Sequence, residues 1–212
     1  MLRREVLCYN HVMRKIEKNE LKKACEAFAD MFADYKTYSL FFPDGKTRSN
    51  GIYWFFRFEV YGAVDYTYAD DDFLTLACVK RPGDRSRNTD ILFFNPFFAV
   101  RFLAATGIKA LKLGSEYLRF AEEVAKKYYN PETDCYVKNV GVAASARGQG
   151  RLRKAIDELC GDRAVYLETH SQTNVEIYRK LGFELCETAI FHGAAHYAMR
   201  RPAKADVILR DE

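Results

Sequence analysis

The sequence predicts an α/β fold with a mixed central sheet and helices on both faces. Three observations carry this. Tyr136–Val142 is a β-run followed by glycines and then by helical periodicity to Cys160. Ala164–His170 is a second β-run, followed by a helical stretch from Thr173 that Gly182 stops after Leu181. Strand, glycine loop, helix, strand and helix form a βαβ unit with a parallel pair at its centre. On either side of it lie hairpin signals, Ala63–Tyr68 and Phe73–Lys80 around Asp70–Asp72, then Phe183–Phe191 and Ala195–Arg201 around His192-Gly193. Parallel and antiparallel pairs in one sheet make it mixed.

Taken in order, Asn19 is placed to cap a helix from Glu20 to about Ala33, with Leu21, Ala24, Cys25 and Phe28 as its apolar stripe. A turn at Pro43–Gly45 precedes an aromatic helix, roughly Ser49 to Tyr61, that Gly62 ends. Arg81–Thr89 is a polar loop. From there to Tyr129 the pattern is helical and rich in Phe, with breaks at Pro96, Gly107 and Gly114, and Pro131–Asp134 is a turn. The segment at about 90–130 is too long for a plain connection. It reads as a helical insertion in one domain spanning 1–212. Phe93, Phe94, Phe97, Phe98 and Phe102 have two competing uses: some cover the sheet and some wall an acceptor pocket, or all of them serve as core and homodimer contacts.

The 212 residues include 15% aromatics, enough for a core without staples. The 33 Lys and Arg are nearly balanced by 29 acids, leaving a net charge of +4, and the aromatics fall at core spacing, which argues against a nucleic-acid binder. Cys8, Cys25, Cys78, Cys135, Cys160 and Cys186 form no CxxC pair and no Cys/His cluster, so they read as reduced thiols and no metal is expected. No apolar stretch follows the basic start, and Ile91–Leu113 is interrupted by Asn95, Pro96, Arg101, Lys109 and Lys112. A membrane span needs roughly 20 clean apolar residues. The expectation is a cytoplasmic protein with no membrane partner.

The chemistry is concentrated in Arg147-Gly148-Gln149-Gly150, between a strand and a helix. Unpaired amides at a helix N-terminus suit a pyrophosphate, and glycines let it approach the backbone. Alone, such a loop is as readily a tight turn. Val142-Ala-Ala-Ser-Ala-Arg147-Gly-Gln-Gly150, however, resembles the acetyl-CoA loop of the GNAT superfamily of N-acetyltransferases, and Asn174-Val-Glu-Ile-Tyr178-Arg-Lys-Leu-Gly182-Phe183 resembles its second hallmark. Leu40-Phe-Phe-Pro-Asp44 and Met199-Arg200 are most similar to the puromycin N-acetyltransferase-like branch.

That resemblance implies the GNAT fold, with the sheet splayed between its fourth and fifth strands, and acetyl-CoA as cosubstrate. The strand stretch Val140, Gly141 and Val142 would hold the pantetheine arm. Arg147, Gly148, Gln149, Gly150, Arg151 and Leu152 would hold the pyrophosphate, Asn174 would bond the pantetheine, and Tyr178 would protonate the departing thiolate. A tyrosine pKa of ~10 is close to that of an alkyl thiol, so this last transfer is nearly balanced. The acceptor would be an amine, small-molecule or peptide.

Leu152 replaces a small residue of the family loop and is expected to point into the core. Lys138 stands near where many relatives carry a carboxylate that helps deprotonate the amine. Glu168 is the candidate base, because Tyr166, Glu168 and His170 form a polar face on a strand that should be apolar throughout; a carboxylate merely paired with a neighbour competes. His170 is expected at the surface or in a cap, and His192 and His196 in structural roles. Arg151, Arg153, Lys154, Arg179 and Lys180 form a basic rim or simply solvated helix faces. The rival function is a catalytically inactive GNAT-like module that binds CoA; Tyr178 and the complete Arg147–Gly150 loop argue against it.

Overall fold

Apolar strands flanked by amphipathic helices give a sheet covered on both faces. The computed structural model describes residues 12–43, 45–87 and 95–208. The elements are β1 (Arg14–Lys15), α1 (Leu21–Met31), α2 (Tyr38–Phe41), α3 (Gly45–Gly62), β2 (Thr67–Ala69), β3 (Thr75–Lys80) and α4 (Pro96–Ala125). They continue with β4 (Cys135–Val142), α5 (Arg151–Cys160), β5 (Val165–Thr169), α6 (Gln172–Arg179), β6 (Glu184–Phe191), β7 (Ala194–Arg201) and α7 (Lys204–Ile208). The sheet runs β1-β2-β3-β4-β5-β7-β6, and β4–β5 is its parallel pair. Every other adjacent pair is antiparallel.

On one face α1 and α3 bury Phe28 against Phe56, stacked with centroids 5.1 Å apart. On the other, α5 and α6 cover Val137, Val165, Leu167 and Met199 with Ile156 and Leu159. The strand alternation holds, with Val165 and Leu167 in this second core and Tyr166 in a third, under α4.

Several details bear on the sequence expectation. Val64–Tyr66, expected as strand, is a 3-10 turn, and β2 begins only at Thr67. Asn19 does not cap α1. A 3-10 turn at Lys18–Glu20 leads into the helix, closed by the Glu17 amide donating to Glu20 Oε2 at 2.9 Å. A side chain three residues along thus satisfies the orphan amide. Gly114 does not break α4, which begins at Pro96 behind the Asn95 cap and is interrupted at Gly107 (φ 76°). A helix tolerates glycine at a modest cost when packing holds it. Phe97 is 82% exposed while Phe98 and Phe102 are buried, so the Phe-rich run is divided between two surfaces. Phe93, Phe94 and Cys8 lie outside the described residues. Among the described residues no helix is long and apolar enough to cross a membrane.

Candidate active site

The site begins where β4 and β5 part. Their parallel pairing covers only Cys135–Val137 opposite Val165–Leu167. On the other edge of β4, Cys78 faces Asn139 and Val79 faces Val137, so Lys138 is an extra residue. Such a bulge bends its strand and re-aims the side chains beyond it. The opened strands lead into a cavity of about 470 Å³. Its walls include β4 from Tyr136 to Val140, the end of β5 from Glu168 to His170, and Asn174 and Tyr178 of α6. Phe102, Ala110 and Tyr117 of α4 and Phe32, Tyr35 and Phe41 around α2 complete it.

Four of the expected residues, Val140, Glu168, Asn174 and Tyr178, therefore share one cavity. The Tyr178 ring packs edge-on against Phe183 with centroids 5.6 Å apart. Burial, and then the neighbouring Tyr35, push its phenol above the ordinary value, so it keeps its proton at neutral pH. Gly182 (φ 88°) turns the chain so that the Phe183 amide donates to the Tyr178 carbonyl at 3.1 Å, which fixes the ring's position. Asn174 Nδ2 donates to Thr169 Oγ1 at 3.2 Å, and the Tyr35 hydroxyl accepts from the His170 amide at 2.8 Å.

Glu168 accepts two phenol hydrogen bonds, from Tyr136 to Oε2 at 2.9 Å and from Tyr166 to Oε1 at 2.8 Å. The fully buried His196 brings Nε2 to 3.7 Å from Oε1. His196 Nδ1 lies 3.4 Å from both the Tyr117 hydroxyl and His170 Nε2, and Tyr117 lies 3.0 Å from His170 Nε2. His170 is thus in the cavity wall rather than at the surface or in a cap. Its ring is covered by Tyr117 of α4 and Tyr35 of the α1–α2 segment. Burial and then His196 push it down to about 4, so it is neutral at pH 7. His192 closes the β6–β7 turn (φ 46°), with Nε2 3.5 Å from Glu116.

Lys138 Nζ pairs with Glu59 Oε2 of α3 at 3.0 Å, and both line the cavity. Burial works to lower this ammonium, but the Glu59 charge overrides it and holds the group above its usual value. The sequence reading did not single out Glu59, Tyr35 or Tyr117. The one available signal was that His170 shares the Glu168 face.

The glycine loop lies past Val142, outside the cavity wall. Gly148 (φ 76°) and Gly150 (φ 75°) leave open space where a Cβ would stand. At Gly141, by contrast, a Cβ would meet Met31 Sδ at 2.8 Å and the Phe32 ring at 3.2 Å, so a side chain there would have to displace Met31. Arg147 Nε donates back to the Val142 carbonyl at 3.2 Å, and Gln149 Nε2 to the Ser145 carbonyl at 3.4 Å. Leu152 packs into the second core. The Arg151 guanidinium turns away from the loop mouth, 2.9 Å from the fully buried Asp70 and 3.2 Å from Asp72. Arg153 donates to the Lys180 carbonyl and Arg179 pairs with Glu176 at 2.8 Å, so these cations of the expected rim are committed to the protein.

No family model matches the sequence, and no curated protein matches it. Solved structures do. A Corynebacterium glutamicum protein named as histone acetyltransferase HPA2 and related acetyltransferase gives a TM-score of 0.61 at 18% identity, covering 91% of this chain and 96% of that one. The C-terminal condensation domain of Ebony gives 0.56 at 7% identity, over 89% and 97%. A mosquito arylalkylamine N-acetyltransferase like 5b gives 0.52 at 13% identity, over 90% and 98%. At such identities the likeness shows architecture alone, the GNAT fold.

Proposed function

We propose that this chain is an N-acetyltransferase that moves the acetyl group of acetyl-CoA onto a primary amine by direct attack. The supporting observation is the opening of β4 from β5, with Asn174 and Tyr178 facing one cavity beside it. The residues present fit the cosubstrate. Beyond Val137 the β5-side edge of β4 has no strand partner, so the backbone of Val140, Gly141 and Val142 can pair with an amide-bearing arm. The amides of Gly148 to Leu152, at the N-terminus of α5, would hold a pyrophosphate. Asn174 spends its amide N–H on Thr169 and would offer Oδ1. Arg151 would act through its backbone, its side chain tying the loop to the β2–β3 turn.

When bound, acetyl-CoA supplies an electrophilic thioester with a thiolate leaving group. Tyr178 holds a proton at its hydroxyl oxygen, as a phenol does at neutral pH; the burial that raises it disfavours a thiolate leaving into the same cavity as well. Backbone N–H groups of β4 freed by the splay provide donors for negative charge developing on oxygen. Glu168, directly or through water, takes the amine's proton. The runs Leu40–Asp44 and Met199-Arg200 support the narrower reading of a puromycin N-acetyltransferase-like enzyme. Buried free thiols at Cys25, Cys78, Cys135 and Cys160 support a cytoplasmic one.

Two measurements test the proposal. Acetyl-CoA should raise the thermal midpoint, and thiol should be released with at least one amine of a broad panel. A protein that acetyl-CoA neither stabilises nor acylates through would end it.

A further inference from the structure

The cavity walls are built mainly of aromatic rings on elements far apart in sequence. Phe32 and Tyr35 lie between α1 and α2, Phe55 and Phe58 on α3, and Phe102 and Tyr117 on α4. Phe41 of α2 meets Tyr117 edge-on with centroids 5.9 Å apart, so α2 closes against α4 across the cavity. A volume of about 470 Å³ is that of a pocket for a compact organic molecule.

The charges in this wall nearly cancel. Lys138 is neutralised by Glu59 at 3.0 Å. His170, facing Tyr117, Tyr35 and His196, carries no charge at neutral pH. Glu168 remains, its two oxygens held by Tyr136 and Tyr166. The wall therefore offers one anionic group and a large apolar surface.

Resting on the acetyltransferase reading, we propose that the acceptor is a compact monoamine with an apolar body, an arylalkylamine in class. Its single ammonium is attracted by Glu168 before it is deprotonated. Its ring stacks among rings whose edges and faces favour another aromatic. A polyamine would bring a second ammonium with no carboxylate of its own in the pocket, and aromatic faces recover only part of its desolvation. A peptide would bring main-chain amides against phenylalanines that cannot pair them.

The test compares 2-phenylethylamine, spermidine and a lysine-bearing peptide as acceptors for the full chain with acetyl-CoA. It also measures binding of the same three by calorimetry with no acetyl-CoA present. The expected result is a kcat/KM for 2-phenylethylamine about 100-fold or more above the other two, since a site rejects groups it leaves unpaired. Calorimetric binding should follow the same order. In Glu168→Gln the affinity for 2-phenylethylamine should fall about tenfold while that for neutral 2-phenylethanol holds. In Ala110→Phe, which adds a ring to the wall, both ligands should be lost. Spermidine or the peptide matching 2-phenylethylamine in rate or binding overturns the inference and leaves acetyl transfer standing. No binding of 2-phenylethylamine overturns it as well. Loss of the acetyl-CoA thermal shift, read separately, counts against the transferase reading alone, because amine binding is measured without it.

Discussion

His170 Nε2 lies 3.0 Å from the Tyr117 hydroxyl, a contact between residues 53 positions apart that closes α4 over the end of β5. It also helps to bury the imidazole. Burial and the adjacent His196 lower His170 from 6.5 to about 4. Between those values the unfolded chain binds a proton that the folded chain refuses. Stability is therefore unaffected above pH 6.5 and falls as the pH drops toward 4, by at most about 3 kcal/mol, since one pKa unit is ~1.4 kcal/mol. Urea midpoints from pH 7 to 4.5 should fall less steeply in His170→Asn than in the wild type. Equal slopes would show that other groups govern the acid limb.

Gly150→Asp tests the loop. Gly150 caps α5 at φ 75°, a conformation Asp tolerates better than most side chains, so the fold should survive with a loss of ~1 kcal/mol. The added carboxylate stands in the open space before the helix, where a pyrophosphate would lie. At 100 times its dissociation constant a ligand stabilises by about 2.7 kcal/mol. That increment from acetyl-CoA should vanish in the variant, and its persistence would remove the loop from the binding site.

Lys138→Met tests the pair inside the cavity. Glu59 is 8% exposed and would lose a cationic partner 3.0 Å away. Breaking a buried pair from one side costs roughly 3 kcal/mol, here at the low end because the lysine keeps some exposure. Adding Glu59→Gln should restore much of that loss, measured as coupling in a double-mutant cycle by urea unfolding. Additive losses would mean that the two charges do not support each other.

The βαβ unit, the second hairpin and the β3 half of the first were legible in the sequence because their signals are local, whereas Val64–Tyr66 of the expected first strand is a 3-10 turn. The glycines at 148 and 150 mark a turn, Gly182 stops α6, and His192-Gly193 makes a two-residue hairpin turn with φ of 46° and 80°. That Asn174 and Tyr178 share one face of α6 followed from their four-residue spacing; the roles given to them came from the GNAT resemblance. What escaped is what the tertiary fold assembles. Lys138 finds Glu59 across 79 positions and Arg151 finds Asp70 across 81. No periodicity encodes such pairings. The extra residue in β4 was hidden for the same reason, since a bulge exists only relative to the partner strand. His170 was misjudged because α4, which buries it, has no sequence relation to β5.

Tyr178→Phe is the sharpest test of the chemistry. The ring is held by Phe183 at 5.6 Å and by the turn at Gly182, neither of which uses the hydroxyl. Removing that oxygen leaves packing intact, so stability and acetyl-CoA binding should change little. The hydroxyl carries its proton at neutral pH, as any phenol does, and burial raises it further. A thiolate leaving into a dry cavity without a proton is costly. General-acid catalysis is worth roughly 10²–10⁴-fold. Single-turnover rates with a verified acceptor should fall by about that factor, with the thermal shift from acetyl-CoA unchanged. A wild-type chemical rate in Tyr178→Phe would make this residue a packing aromatic and move the proton donor elsewhere in the cavity wall.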